Sequence, residues 1–246
     1  MRRETSGGQK NELLADEWVI GGPLPAAAHL SAQTPSVGAM TGDLSTGVDL
    51  LDSAMGGGVP AGSLVAVTAP PRAQSEPLLY TMAAANPTRY LSTLRPGDEV
   101  TDAITATLPS TSGLSIDVRG VGGDEILANA EQYLGSLDSH SLVVIDPTTE
   151  LEQGDRERYR SFLDTCKRAL RMTDSVGLLH CHENTPSVLR RDMTLARADQ
   201  VWDICVEVIE ENIRTRMAIT KLRGGSPFGM LDLNFSEGHV TADARR

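Results

Sequence analysis

Lysine is nearly missing from this chain: Lys10, Lys167 and Lys221 are the only three among 22 basic residues. Acidic residues number 33, so the formal net charge is −11 and the pI is near 4.9. Such a balance opposes non-specific binding to nucleic acid, whose affinity rests on cations that displace counterions from phosphates. Long apolar runs are also missing. No stretch reaches the roughly 18 residues of a membrane-spanning helix, and a polar segment follows Arg2 and Arg3 where a secretory signal would have its apolar core. A cytoplasmic protein without a membrane role is expected.

Cysteine is scarce as well. Cys166, Cys181 and Cys205 stand far apart and form no Cys-x-x-Cys pair, so they read as small core residues in a reducing compartment. His180-Cys181-His182 has metal-ligating residue types. On a strand, though, Cys181 points away from the two histidines, and no further Cys/His pair completes a tetrahedral set. No metal is expected. The acid-rich, lysine-poor composition resembles that of proteins from halophilic archaea, whose surfaces stay hydrated in molar salt.

Residues 1–40 are rich in Gly, Pro, Ala and Ser, with only Leu13 to Ile20 as a short apolar piece. They read as a disordered tail, or as residues preceding a true start at Met40. The domain is expected over 41–246. The apolar run from Ser63 to Ala69, between Gly62 and Pro70-Pro71, predicts a buried strand. A helix over 78–85, a strand over 89–93, a helix over 98–108, a strand over 115–119 and a helix over 124–137 follow.

Ser141 to Asp146 reads as the strongest strand. The 155–172 segment sets Tyr159, Phe162, Leu163, Cys166, Ala169 and Leu170 on one helical face. A further strand spans 175–180. This alternation predicts right-handed βαβ units around a parallel sheet. After Asp199 the pattern changes. Strands over 201–209, 214–222, 230–235 and 239–241, joined by short turns, predict an antiparallel extension of the sheet.

Two phrases carry a family likeness: Leu44-Ser-Thr-Gly-Val-Asp-Leu-Leu-Asp52, then Gly56-Gly-Gly-Val-Pro-Ala-Gly-Ser63. Together they resemble the opening of RecA/KaiC-like ATPases. The likeness continues to the Walker B-like strand ending at Asp146. It closes on Thr220-Lys-Leu-Arg-Gly-Gly225, which is similar to the Lys-x-Arg-Gly motif near the end of KaiC domains. The resemblance implies a RecA-like α/β fold: a mostly parallel sheet flanked by helices, with C-terminal antiparallel strands.

In that family the phosphate-binding loop reads Gly-Pro-Pro-Gly-Ser-Gly-Lys-Thr-Thr. This chain has Ala69-Pro-Pro-Arg-Ala-Gln-Ser-Glu-Pro77. A P-loop cradles phosphates with glycine backbone N–H groups, reaches them with Lys and holds Mg²⁺ with Ser/Thr. Here Arg72 and Gln74 replace glycines that favour positive φ, Ser75 stands at the lysine position, and Glu76 puts a carboxylate at the Mg²⁺-binding Thr. Arg72 restores some charge without the lysine geometry. Pro77 suits the first turn of a helix. Leu94 and Arg95 occupy the positions of the family's water-activating glutamate pair, and Asp98 and Glu99 fall in the next helix's first turn.

The resemblance therefore implies a vestigial nucleotide site at Arg72, Ser75 and Asp146, with no catalytic set and neither ATP nor Mg²⁺ expected as cofactor. Asp146, followed by Pro147 and Thr148, reads as the cap of a strand-to-helix turn. Lys221 and Arg223 match residues that reach a neighbouring subunit's nucleotide in KaiC-like rings; otherwise they are solvated strand ends. The expected function is a non-hydrolysing, regulatory or scaffolding partner of another protein, such as an active RecA/KaiC-like ATPase. Two alternatives stand beside it: a residual nucleotide binder or weak ATPase, and a DNA-repair or signalling adaptor.

Overall fold

A computed structural model describes residues 42–183, 188–209, 212–236 and 239–244; the expected tail at 1–40, with Met40, lies outside them. In chain order the elements are α1 (Asp49–Met55), β1 (Leu64–Ala69), α2 (Glu76–Ala85), β2 (Thr88–Ser92), α3 (Gly97–Thr107) and β3 (Ile116–Gly120). Next come α4 (Gly123–Ala128), α5 (Ala130–Leu134), β4 (Leu142–Asp146), α6 (Thr149–Glu152), α7 (Arg156–Thr173) and β5 (Val176–His182). The chain finishes with α8 (Arg191–Arg197), β6 (Gln200–Ile209), β7 (Asn212–Leu222), β8 (Phe228–Ser236) and β9 (His239–Ala244).

These strands make one mixed sheet in the order β3-β2-β4-β5-β1-β6-β7-β8-β9. The pairs from β3 to β6 are parallel, and those from β6 to β9 antiparallel. The RecA-like α/β arrangement expected from the sequence is the one observed.

Strand pleating divides the core. In β1, Val65, Val67 and Ala69 face one apolar cluster with α1 and α2, while Leu64 and Ala66 face the other, beneath α7. β1 is buried on both faces, which is why it reads as a continuous apolar run. The α7 face is the expected one. Phe162 and Leu163 are fully buried, each burial stabilising by about 1.5–3 kcal/mol. The Asp155 side chain caps this helix by accepting from the N–H groups of Glu157 and Arg158.

The opening turn is built without any ligand. The Asp52 carboxylate accepts from Ser45 Oγ at 2.6 Å, and from the Thr46 N–H and hydroxyl at 2.7 Å each. Gly58 has φ +134, and a Cβ there would stand 2.4 Å from the Leu44 carbonyl oxygen. Only glycine fits that approach.

Two differences from the sequence reading concern helices. The single helix expected over 124–137 is two, because Asn129 leaves the helical region at φ −128, ψ 37, with its side chain on the Glu125 carbonyl. The short α1, α6 and α8 carry too few periodic positions to register as helices in the sequence.

Candidate functional site

The C-terminal ends of parallel strands in an open α/β sheet are where ligands bind. Here the ends of β1, β2, β4 and β5 lie side by side, with Ser92 in register with Asp146 and Ala69 with His182. The loop from β1 to α2 turns through an Ala73 N–H to Pro70 carbonyl bond of 2.8 Å and enters the helix with Pro77 in the first turn. Its side chains alternate: Arg72 and Gln74 are exposed, Ala73 and Ser75 buried.

Ser75 turns inward. Its Oγ lies 2.9 Å from His180 Nε2, and His180 Nδ1 lies 2.6 Å from Asp146 Oδ1. The other carboxylate oxygen accepts from Tyr90 Oη at 2.5 Å and has the Arg95 guanidinium 3.6 Å away. Arg95 also donates to Tyr80 Oη at 2.8 Å. Burial pushes the Asp146 carboxyl up, but the contacts with His180, Tyr90 and Arg95 outweigh it and hold it below the usual carboxylate range. The Asp146 carboxylate accepts from His180 Nδ1–H, which in the neutral ring leaves Nε2 to accept from the Ser75 hydroxyl.

Hydroxyl, imidazole and carboxylate thus stand in the order of an acyl-transfer triad. Exposure argues against that chemistry. Ser75 is 1% and His180 0% exposed, so no substrate carbonyl reaches the hydroxyl. The chain of bonds is a closed polar network in the core, each member satisfied by the next.

His182 sits beside this network on the same face of β5, its ring centroid 4.6 Å from that of His180. It is half-buried. Desolvation, then the neighbouring His180, lowers its pKa, with Asp146 and Glu76 pulling the other way. Asp146, His180 and His182 each offer a ligand atom, and these atoms lie within 4.8 Å of one another. Cys181 packs in the opposite cluster, pointing away from both histidines as its alternation requires.

The residues singled out by sequence separate into three places. Ser75 and Asp146 come together through His180. Arg72 does not join them; with Gln74 it lines a groove of about 490 Å³ toward Val206, Ile213 and Phe235. Lys221 and Arg223 lie at the opposite end of the sheet, where Val201 of β6 faces both Lys221 and β1 residue Ala66. Lys221 Nζ donates to the Leu195 and Ala196 carbonyls at the end of α8, and Arg223 pairs with Asp199 at 2.9 Å. Lys221 is thus tied to α8, while Arg223, paired with Asp199, keeps 60% of its side chain exposed. Asp146 does not cap the following turn, because its oxygens face Tyr90, His180 and Arg95. Asp98 and Glu99 do fall in the first turn of α3.

Sequence reasoning missed the partnership of Asp146 with Tyr90, Arg95 and His180. The alternation of His180 and His182 was the available signal, but nothing in sequence distance links them to Asp146.

Among the described residues no helix is long and apolar enough to cross a membrane. No curated protein matches this chain. The solved structure of a KaiC-like protein, PH0186 from the hyperthermophilic archaeon Pyrococcus horikoshii OT3, superposes with a TM-score of 0.67 at 12% identity. It covers 82% of this chain and 99% of that one. The flagellar accessory protein FlaH from Methanocaldococcus jannaschii superposes with a TM-score of 0.66 at 13% identity, covering 80% and 96% respectively. At such identities the likeness establishes a shared RecA/KaiC-like fold and no activity. A family model matches residues 43–246, so the chain belongs to DUF7125, a family of unknown function, and carries the RecA/KaiC-like fold.

Proposed function

We propose that this protein is a non-hydrolysing RecA/KaiC-like protein that has lost ATP binding and acts as a regulatory or scaffolding partner of another protein. The observation that carries this reading is the internal neutralisation of Asp146. In a P-loop ATPase this carboxylate faces Mg²⁺; here its oxygens meet Tyr90, His180 and the protein's own cation, Arg95. Ser75, at the lysine position, is turned toward His180. Glu76 adds a negative group where the β- and γ-phosphates would approach. The residues do not fit Mg²⁺-ATP.

The partner class follows from charge. A formal net charge of −11 favours a protein over a nucleic acid, and a RecA/KaiC-like ATPase with an intact loop is the first partner to test. The acidic, lysine-poor surface supports a cytoplasm of high salt. We further infer that residues 41–246 form the folding domain, a boundary that the family match over 43–246 supports.

The test is a thermal-unfolding scan in molar KCl with and without millimolar Mg²⁺-ATP, together with an assay of ATP turnover. A ligand at 100 times its dissociation constant stabilises the native state by about 2.7 kcal/mol. No shift and no turnover are expected. A clear shift, or turnover that survives rigorous purification, would overturn the reading.

A further inference from the structure

Three donors meet at the ends of β4 and β5. We propose that Asp146, His180 and His182 bind a borderline divalent transition cation, with Zn²⁺ as the type ion. Their ligand atoms lie within 4.8 Å of one another. A cation at the centre therefore stands within about 2.8 Å of each, against the roughly 2.0–2.2 Å of zinc–nitrogen and zinc–oxygen bonds. Closing that gap takes side-chain adjustments below an ångström.

Donor chemistry selects the ion. Magnesium prefers an all-oxygen octahedron and retains its water, whereas two imidazoles with one carboxylate suit Zn²⁺, Co²⁺ or Ni²⁺. Three protein donors leave a position open at the half-buried His182 side, which is also the route of entry.

The backbone holds both histidines in place. β5 is flanked by β4 and β1, the His180 carbonyl accepts from the Thr148 N–H at 2.7 Å, and the His182 N–H donates to Thr149 Oγ1 at 3.1 Å. Tyr90 and Arg95 fix one oxygen of Asp146 and leave the other toward His180. Such outer partners orient a ligand set and tune its affinity.

An incoming ion replaces one of the two hydrogen bonds of His180, to Asp146 or to Ser75. Arg95 opposes the ion from the far carboxylate oxygen. Glu76, near enough to act on His182, offsets it, while Arg191 acts on His182 in the opposite sense. Cys181, on the other face, supplies no thiolate.

The test uses the full-length chain stripped with a chelator and kept free of nucleotide. Zn²⁺ is titrated in competition with a chromophoric chelator, and Co²⁺ is followed by its visible absorption. Saturation at one equivalent is expected, with Co²⁺ bands of low-coordinate nitrogen–oxygen ligation and no displacement by millimolar Mg²⁺. His182→Ala is expected to lower affinity by at least about tenfold and to abolish the bands while the metal-free protein melts as wild type. Asp146→Asn should weaken binding too. A variant lacking the other three histidines, His29→Ala, His140→Ala and His239→Ala, should bind as wild type. Absence of a saturable equivalent, equal affinity in His182→Ala, or loss of binding in the triple variant would each overturn the proposal.

Discussion

The two ends of the central parallel strands each hold one carboxylate beside a cation, with different access to solvent. At the C-terminal end one carboxylate, Asp146, is 4% exposed and is surrounded by Tyr90, His180 and Arg95. At the N-terminal end another, Asp199, accepts from the Leu64 N–H, pairs with Lys167 at 2.7 Å and meets the exposed guanidinium of Arg223. Both carboxylates are held below their usual range: burial pushes each up, and the bonds to their partners outweigh it. The difference is one of degree in exposure: the two carboxylate side chains are 5% and 14% exposed, and the outermost guanidiniums, Arg95 and Arg223, 30% and 60%. The first network keeps its carboxylate, serine, histidine and tyrosine in the core and meets solvent only through Arg95 and the neighbouring His182. The second is the more open, through Arg223, which stays within reach of water, salt and a neighbouring molecule.

The contrast can be broken most severely at Asp146. Replacing it with Ala leaves the Tyr90 hydroxyl, His180 Nδ1–H and Arg95 without their acceptor, and a loss of about 3–5 kcal/mol is expected in urea unfolding. A loss below about 1 kcal/mol would mean that water replaces the missing acceptor and that the network contributes little. Ser75→Ala removes only the last link and leaves His180 Nε2 unpaired, with an expected cost of about 1–3 kcal/mol. If Ser75→Ala is instead neutral, the hydroxyl contributes nothing to the network.

At the open end the effects should be smaller and tunable. For Asp199 the folded pKa is depressed, so its contribution is fully present above its unfolded value of roughly 3.9. It is lost as pH falls through the lower folded value. The stability gap between wild type and Asp199→Asn, measured by chemical unfolding from neutral pH downward, should therefore close in acid. A gap that persists below both values would assign it to packing. Arg223→Ala should cost no more than about 1 kcal/mol at low salt and nothing measurable in molar KCl. A salt-independent loss would assign the effect to packing of the side chain and not to its charge.

Much of the fold was legible because its signals are local. β1 is an uninterrupted apolar run because both of its faces are covered, and α7 shows its buried face at helical spacing. The opening phrase is legible for a different reason: Gly58 allows a close backbone approach, and Asp52 ties down Ser45 and Thr46, so those residue types must stand at those spacings. The break at Asn129 was not legible, since one residue's dihedral angles decide it. Nor was the polar network. Ser75, Tyr90 with Arg95, Asp146 and His180 come from four separate stretches, and only the in-register meeting of β1, β2, β4 and β5 makes them neighbours.

Sequence alone therefore determined the α/β class, the parallel core, the antiparallel extension and the placing of Ser75, with Pro77 after it, at the head of α2. Each is written in residue type and short-range period. Tertiary structure decided where the charges go. It turned Ser75 inward, set Arg95 against Asp146, folded Lys221 and Arg223 back onto their own chain, and brought two histidines to a carboxylate. Those outcomes depend on strand order and register, which place residues far apart in the chain within a few ångströms of one another.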